Sequence, residues 1–179
     1  MREPTTAEEI AALHKILKSD PQRYLNIANG WIEQNPKSAT AYFSRHQVWM
    51  NLGEPQRAIK DLDKSIELEP VAVSFWSRGD VNRHLGKYEL AMDDYRRAEA
   101  IDPDKWERDA VPLLYQADVH ARMGNEAAAL DCCARLPDHF WTPGHNDLPP
   151  GGKAEIAEEL RRRAATANAR KRGPRRVVP

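Results

Sequence analysis

Ala41-Tyr42-Phe43-Ser44-Arg45 returns 33 residues later as Ser74-Phe75-Trp76-Ser77-Arg78. The same offset carries Leu52-Gly53 onto Leu85-Gly86 and Ala58-Ile59-Lys60-Asp61 onto Ala91-Met92-Asp93-Asp94. It also carries Ile66-Glu67-Leu68-Glu69-Pro70 onto Glu99-Ala100-Ile101-Asp102-Pro103. One offset held over a whole unit marks a structural repeat rather than a chance motif. Each unit reads as two helices. Ser38 stands as N-cap to a helix from Ala39 to Leu52, and Gly53 supplies the left-handed residue that ends it. Pro55 sits in the first turn of a second helix, where its missing N–H costs nothing. That helix runs to about Glu69, and Pro70 stops it. Ile59, Leu62 and Ile66 keep helical spacing along its buried face.

Working outward, weaker copies of the unit flank the central two. Upstream, Thr6 and Glu9 form a capping box that opens a helix through Lys18. Asp20-Pro21 opens its partner, which runs to Gln34 and is closed by Asn35-Pro36. Downstream, Trp106 to Asp109 reads as a short extra segment. Helices from about Val111 to Met123 and from about Asn125 to Leu136 follow, with Gly124 between them. Residues 138–152 are rich in Pro, Gly, Asn and Asp and read as a loop. A last helix from about Lys153 to Lys171 has Glu155, Glu158 and Glu159 near its start and arginines toward its end, which suits the helix dipole. Residues 173–179 read as a disordered basic tail.

The two central units resemble tetratricopeptide repeats. Tyr42, Trp49, Ala58, Leu62, Ser65 and Pro70 fit that family's pattern in one unit. Phe75, Gly79, Ala91, Tyr95, Ala98 and Pro103 fit it in the next. Arg45, His46, Arg78 and Asn82 depart from it, at positions that are usually apolar or small. The resemblance implies an all-α, right-handed superhelical solenoid of about four tetratricopeptide-like hairpins plus a C-terminal capping helix. The solenoid would span 5–137, with units of about 5–37, 38–71, 72–109 and 110–137. The helix at 153–172 would cover the last unit through Ile156 and Leu160. One hairpin cannot bury its apolar face alone, so neighbours must stack.

Such stacking implies a concave groove lined by the first helix of each pair. In this register Tyr42 and Phe75 point into the core, and Phe43 and Trp76 lie about 100° further round, toward the groove. Leu114 is their equivalent in the fourth unit. Gln47, Asp80 and Asp118 lie one turn along. The expected partner-binding groove is therefore Phe43, Gln47, Trp76, Asp80, Leu114 and Asp118. It suits a protein or peptide with apolar and basic side chains, since aromatic residues are common interface anchors. The alternative is that Phe43 and Trp76 fill the gap to the next repeat. Members of the family that bind chaperone tails clamp a C-terminal carboxylate with lysine, arginine and asparagine. The corresponding positions here are Phe43, Gln47, Ser77, Val111 and Tyr115, none of them basic, which argues against such a clamp.

Arg45 and Arg78 occupy one position of the first helix, and Asp61 and Asp94 one position of the second. Where the arginine is missing the aspartate is missing too, at Ala11 with Ile27 and at Gln116 with Cys132. This co-occurrence predicts structural ion pairs Arg45–Asp61 and Arg78–Asp94.

Charge points to a second reading. The 179 residues have a net charge of zero, but the eight basic residues from Arg161 onward stand against no acidic one. The remainder of the chain carries 19 basic and 27 acidic residues. Arg161, Arg162, Arg163, Arg170, Lys171 and Arg172 are candidates for phosphate contacts, so a nucleic-acid-associated protein is the alternative function. The tail has no aromatic residue for base stacking. The other possibilities for it are docking on the acidic body or plain solvation.

Mean hydropathy is −0.74, and no apolar run is long enough to cross a bilayer, so no membrane role is expected. The N-terminal stretch lacks the apolar core of a signal peptide, which leads to an expectation of a cytoplasmic protein. Cys132 and Cys133 are the only cysteines and adjoin each other, so they read as reduced thiols with at least one buried. No catalytic constellation is evident, and no metal, cofactor or small-molecule substrate is expected. The six histidines are scattered. His139, His145, Asp138 and Asp147 fit no metal-ligand spacing. Pro150-Gly151-Gly152-Lys153 lacks the glycine spacing and the following Ser or Thr of a phosphate loop. An enzyme site in the 138–152 loop is the weakest alternative. Phe140 and Trp141 are instead expected to pin this loop onto the end of the solenoid.

Overall fold

The computed structural model describes residues 3–4, 6–103, 110–144 and 148–172. The segment Trp106–Asp109, His145 to Asp147 and the tail from Gly173 lie outside the described residues. The chain divides into two compact units, Met1–Ile101 and Asp102–Pro179, where the sequence suggests one array over 5–137.

The first unit holds three helical hairpins. They are α1 (Ala7–Ser19) with α2 (Pro21–Gln34), α3 (Ala39–Asn51) with α4 (Pro55–Leu68), and α5 (Ala72–His84) with α6 (Tyr88–Ile101). Side chains set the starts of the first three helices. Thr6 Oγ1 accepts the Glu9 N–H at 3.2 Å while Glu9 Oε2 accepts the Thr6 N–H at 3.1 Å. Asp20 Oδ1 accepts the Arg23 N–H at 2.9 Å, and Ser38 Oγ accepts the Ala41 N–H at 3.1 Å. Each contact satisfies an N–H that the helix itself leaves orphaned. The hairpin turns use Gly53 and Gly86 at φ 74° and 72°, a conformation that favours glycine.

Successive hairpins pack in file, α2 against α3 and α4 against α5. Tyr24, Leu25, Ala28, Trp31, Ala41 and Val48 form the core of the first two hairpins. Ala58, Leu62 and Val81 continue it into the third. A fully buried leucine such as Leu62 contributes about 1.5–3 kcal/mol by leaving water. Gly79 lets α5 approach α6, because a Cβ there would lie 2.7 Å from the Tyr95 ring.

Two arginines tie these helices together. Arg45 donates Nε to Asp61 Oδ2 at 2.8 Å and Nη2 to Asp61 Oδ1 at 2.7 Å. Arg78 reaches Asp94 in the same bidentate way, at 3.0 and 2.6 Å. Each arginine also donates Nη1 to the preceding hairpin, Arg45 to Asn29 at 2.9 Å and Arg78 to Asp63 at 2.7 Å. The aspartates are buried and the arginines half-buried, so the pairs fix helix register more than they add stability.

The second unit holds α7 (Ala110–Arg122), α8 (Glu126–Ala134), a two-residue antiparallel pairing of β1 (Trp141–Thr142) with β2 (Gly151–Gly152), and α9 (Lys153–Arg172). The pairing lies within the stretch read as loop. Its physical basis is Gly151, at φ 152°, where a Cβ would lie 2.7 Å from the Glu155 Cβ. Leu114, Ala117, Cys132, Leu136, Ile156 and Leu160 are among the buried residues of this unit's core. Helix α9 clasps α7 and α8 at both ends. Lys153 Nζ donates to the Ala134 and Leu136 carbonyls at 3.0 and 2.6 Å. Asn168 Nδ2 and Lys171 Nζ donate to the Gly124 and Met123 carbonyls at 3.0 and 2.7 Å, satisfying the C-terminal end of α7.

Candidate functional site

The first helices of the three hairpins in the first unit, α1, α3 and α5, enclose an open cleft of ≈ 350 Å³. Its apolar members are Leu17, Met50, Trp76 and Val81. Its polar members are His14, His46, Gln47, Ser77 and Asp80. A second cleft of ≈ 210 Å³ adjoins it, with Ile10, Leu13, Tyr24 and Phe43 as apolar lining. His14 and Gln47 line both clefts. Of the groove residues read from the sequence, Gln47, Trp76 and Asp80 thus share one cleft, and Phe43 shares the other with Gln47. Phe43 is also half-buried against the Ala58–Leu62–Val81 cluster, so it serves packing as well.

Two of the polar members, His46 and Asp80, are held by their neighbours. His46 is buried, its Nδ1 contacts the Phe43 carbonyl, and its ring meets the Phe43 ring edge-on at 4.6 Å. Burial pushes its pKa down to about 4, against the opposing pull of the Phe43 carbonyl and the Asp61 carboxylate. The ring is therefore neutral near pH 7. With its Nδ1–H donated to Phe43, Nε2 is an acceptor. Asp80 accepts Arg83 Nε and Nη2 at 3.0 and 2.9 Å, and His84 Nε2 lies 3.6 Å from its other oxygen. Burial raises the Asp80 pKa, but His84 and Arg83 outweigh it and hold the carboxyl below its ordinary value.

Leu114 and Asp118 do not belong to an open groove, which corrects the expectation for the fourth unit. Leu114 is 1 % exposed, within the core that α9 closes. Asp118 is 1 % exposed and pairs with Arg122 at 2.9 Å and with Arg163 of α9. The C-terminal helix occupies the face that the sequence assigns to a ligand.

The basic segment is partly structural for the same reason. Arg163 donates to Asp118 and to Glu159, the latter at 2.6 Å. Arg162 holds Glu159 at 2.7 and 2.6 Å. Arg162 and then Arg163 bring the Glu159 pKa down to about 2, against a smaller effect of burial. Arg161, Arg170 and Arg172 are exposed. Both cysteines are free and buried, and burial pushes the Cys133 thiol up. Phe140 packs against the second unit's core, but Trp141 is 64 % exposed, so only the first of the two aromatics pins the loop. Among the described residues no three His, Cys, Asp or Glu side chains stand together as a metal site. No helix of the described residues is long and apolar enough to cross a membrane.

Residues 72–105 match the family model of the tetratricopeptide repeat. The chain thus contains a tetratricopeptide repeat. Hsc70-interacting protein 1 of Drosophila melanogaster is 32% identical over 94 residues, which are 50% of this chain and 25% of the relative. Hsp70-Hsp90 organizing protein 2 of Arabidopsis thaliana is 35% identical over 77 residues, 42% of this chain and 14% of the relative. The chain therefore spans a quarter or less of the length of those relatives. Two solved structures share its fold. MamA superposes with a TM-score of 0.61 at 16% identity, covering 90% of this chain and 96% of its own. YrrB, described as a tetratricopeptide-repeat protein with an unusual peptide-binding site, superposes at 0.62 with 20% identity, covering 87% and 78%.

His14 and His46 are the polar cleft residues that the sequence reading leaves out, with Ile10, Leu17 and Met50 among the apolar ones. His46 was noted only as a departure from the repeat pattern. His14 lies in the first unit, where the offset is not constant. The N-caps Thr6 and Ser38 stand 32 residues apart, but Pro21 and Pro55 stand 34 apart. A fixed register cannot be carried across that unit.

Proposed function

We propose that the protein is a protein–protein interaction scaffold whose first unit binds an extended peptide segment of a partner. The observation that carries this reading is the pair of adjoining clefts with His14 and Gln47 in common. A segment crossing these two side chains places one apolar side chain in each cleft, one against Leu17, Met50 and Trp76, the other against Ile10 and Phe43. The polar side chains between them are hydrogen-bond partners for the segment's backbone. Interfaces of this kind draw affinity from a few buried anchors.

The partner's anchors are apolar rather than basic. Asp80 already pairs with Arg83 and lies beside His84, so an incoming lysine competes with the Arg83 guanidinium for it. Asp118 is closed off by Arg122 and Arg163. The relatives named for Hsc70, Hsp70 and Hsp90 support an adaptor role. The groove positions Phe43, Gln47 and Ser77 lack the basic residues of a carboxylate clamp, which favours an internal segment over a chain terminus. A cytoplasmic setting fits the two free thiols.

The test is selection of peptides from a random displayed library on the purified chain, followed by titration of the recovered peptide. We expect sequences with two spaced apolar residues. Trp76→Ala should weaken binding at least tenfold with helicity retained. Equal affinity for the folded variant would overturn the reading.

A further inference from the structure

The second and third hairpins of the first unit differ at one corner, and the difference opens another cleft. In the second hairpin Trp49 packs against the Ala58–Leu62 cluster. Its ring N–H donates to Asp61 Oδ2 at 2.8 Å, and the Arg57 guanidinium lies 4.8 Å over its ring. Moved by the 33-residue offset, Trp49 becomes Asn82 and Arg57 becomes Leu90. The arginine–aspartate pair is retained there as Arg78–Asp94. Asn82 Nδ2 reaches the corresponding Asp94 oxygen at 3.3 Å, a longer bond than the indole makes. Asn82 is buried, but its side chain fills far less space than an indole.

An open cleft of ≈ 350 Å³ results, bounded by side chains of α4, α5 and α6. That volume lies at the lower end of the range for ligand sites, about 300–1,000 Å³. Ile59 and Leu90 supply apolar walls, and Leu90 is 55 % exposed. Asn82 and Asp94 supply the polar end.

We infer that this cleft binds a tryptophan side chain of a partner protein, laid as Trp49 lies in the preceding hairpin. The indole N–H donates to Asp94 in place of the long Asn82 bond. The ring lies between Ile59 and Leu90, in a cleft that Arg78, Lys87 and Arg97 also line. An aromatic ring over apolar walls beside a guanidinium gains both burial and cation–π attraction. Other side chains fit less well. Asp63, Asp93 and Asp94 share the cleft with Arg78, Arg97 and Lys87, so a lysine meets no net negative charge there. A leucine leaves the Asp94 oxygen with the longer Asn82 bond in place of a ring donor.

The inference is independent of the groove on α1, α3 and α5, and the experiment separates them. An acetylated, amidated Gly-Trp-Gly peptide is titrated into the full chain, and the amide resonances of Ile59, Lys87 and Leu90 are followed. The expected result is saturable shifts at these residues, weakened at least tenfold in Asn82→Trp, which restores the preceding hairpin's side chain. Leu90→Arg, a surface change, should weaken binding in the same direction and serves if Asn82→Trp fails to fold. Trp76→Ala should leave the shifts unchanged. The inference is overturned by an absence of saturable shifts in the wild type. Equal binding by folded Asn82→Trp or by Leu90→Arg, or equal shifts with a Gly-Leu-Gly peptide, also overturns it.

Discussion

Trp76 in the first unit and Leu114 in the second stand at equivalent places on the first helix of a hairpin, yet their fates are opposite. Trp76 borders an open cleft, with Asp80 one turn along. Leu114 is sealed in a core, and Asp118 one turn along is buried between two arginines. The difference comes from α9, which folds back onto α7 and α8 and takes the place a ligand would occupy. The residue types alone do not separate the two cases, since each is a large apolar side chain with an aspartate after it. What covers a helix face decides whether it packs or binds.

The largest expected effect is at Asp118. Asp118→Ala leaves Arg122 and Arg163 without their shared carboxylate inside the second unit. Loss of one partner of a buried ion pair costs about 3–5 kcal/mol. Urea unfolding followed by amide signals of α7 and α9 should show a loss of that size. A loss under about 1 kcal/mol would mean that Asp118 behaves as a surface residue after all. Leu114→Ala should follow, at about 2–5 kcal/mol for a buried leucine. The same measurement applies.

Acid should separate the units next. His46 in the first unit has its folded pKa pushed down to about 4. The unfolded chain takes up a proton near pH 6.5 while the folded chain does not until about pH 4. The His46 contribution to the first unit's stability is therefore full above about pH 6.5, falls as pH falls through this window, and amounts to roughly 3 kcal/mol. His46→Gln should flatten that slope. Glu159 in the second unit, held down to about 2, contributes stability above its ordinary value of 4.5 that is lost as pH falls toward 2. Hydrogen exchange at pH 7, 5 and 3 should show the first unit loosening at pH 5 and the second only below it. The reverse order would break the comparison. The smallest effect on stability belongs to Gln47→Ala, expected within about 0.5 kcal/mol because the side chain is partly exposed. The same variant should weaken binding of a selected peptide.

Much of the fold was legible because the central units repeat at one offset and carry caps, turn glycines and prolines at matching points. The co-occurrence of arginine with aspartate at Arg45, Asp61, Arg78 and Asp94 pointed to the contacts that the geometry displays. The third donor of each arginine, to Asn29 or Asp63, was not legible, because it joins different hairpins. The groove was legible in part. Register gives Phe43, Gln47, Trp76 and Asp80, but His14 sits where the offset shifts, and His46 looks like an ordinary departure until its burial is seen. The closure of Leu114 and Asp118 escaped because the residues that cover them, Ile156, Leu160 and Arg163, are some forty residues away along the chain. Local periodicity carries no information about such a contact.

In the proposed function the clefts of the first unit form the working surface, while the equivalent face of the second is closed. Hydrogen exchange with and without a bound selected peptide tests it most directly. Protection should appear in α1, α3 and α5 around His14, Gln47 and Trp76, with α7 unchanged. Protection of α7 around Leu114 and Asp118, with the first unit unchanged, would contradict the claim.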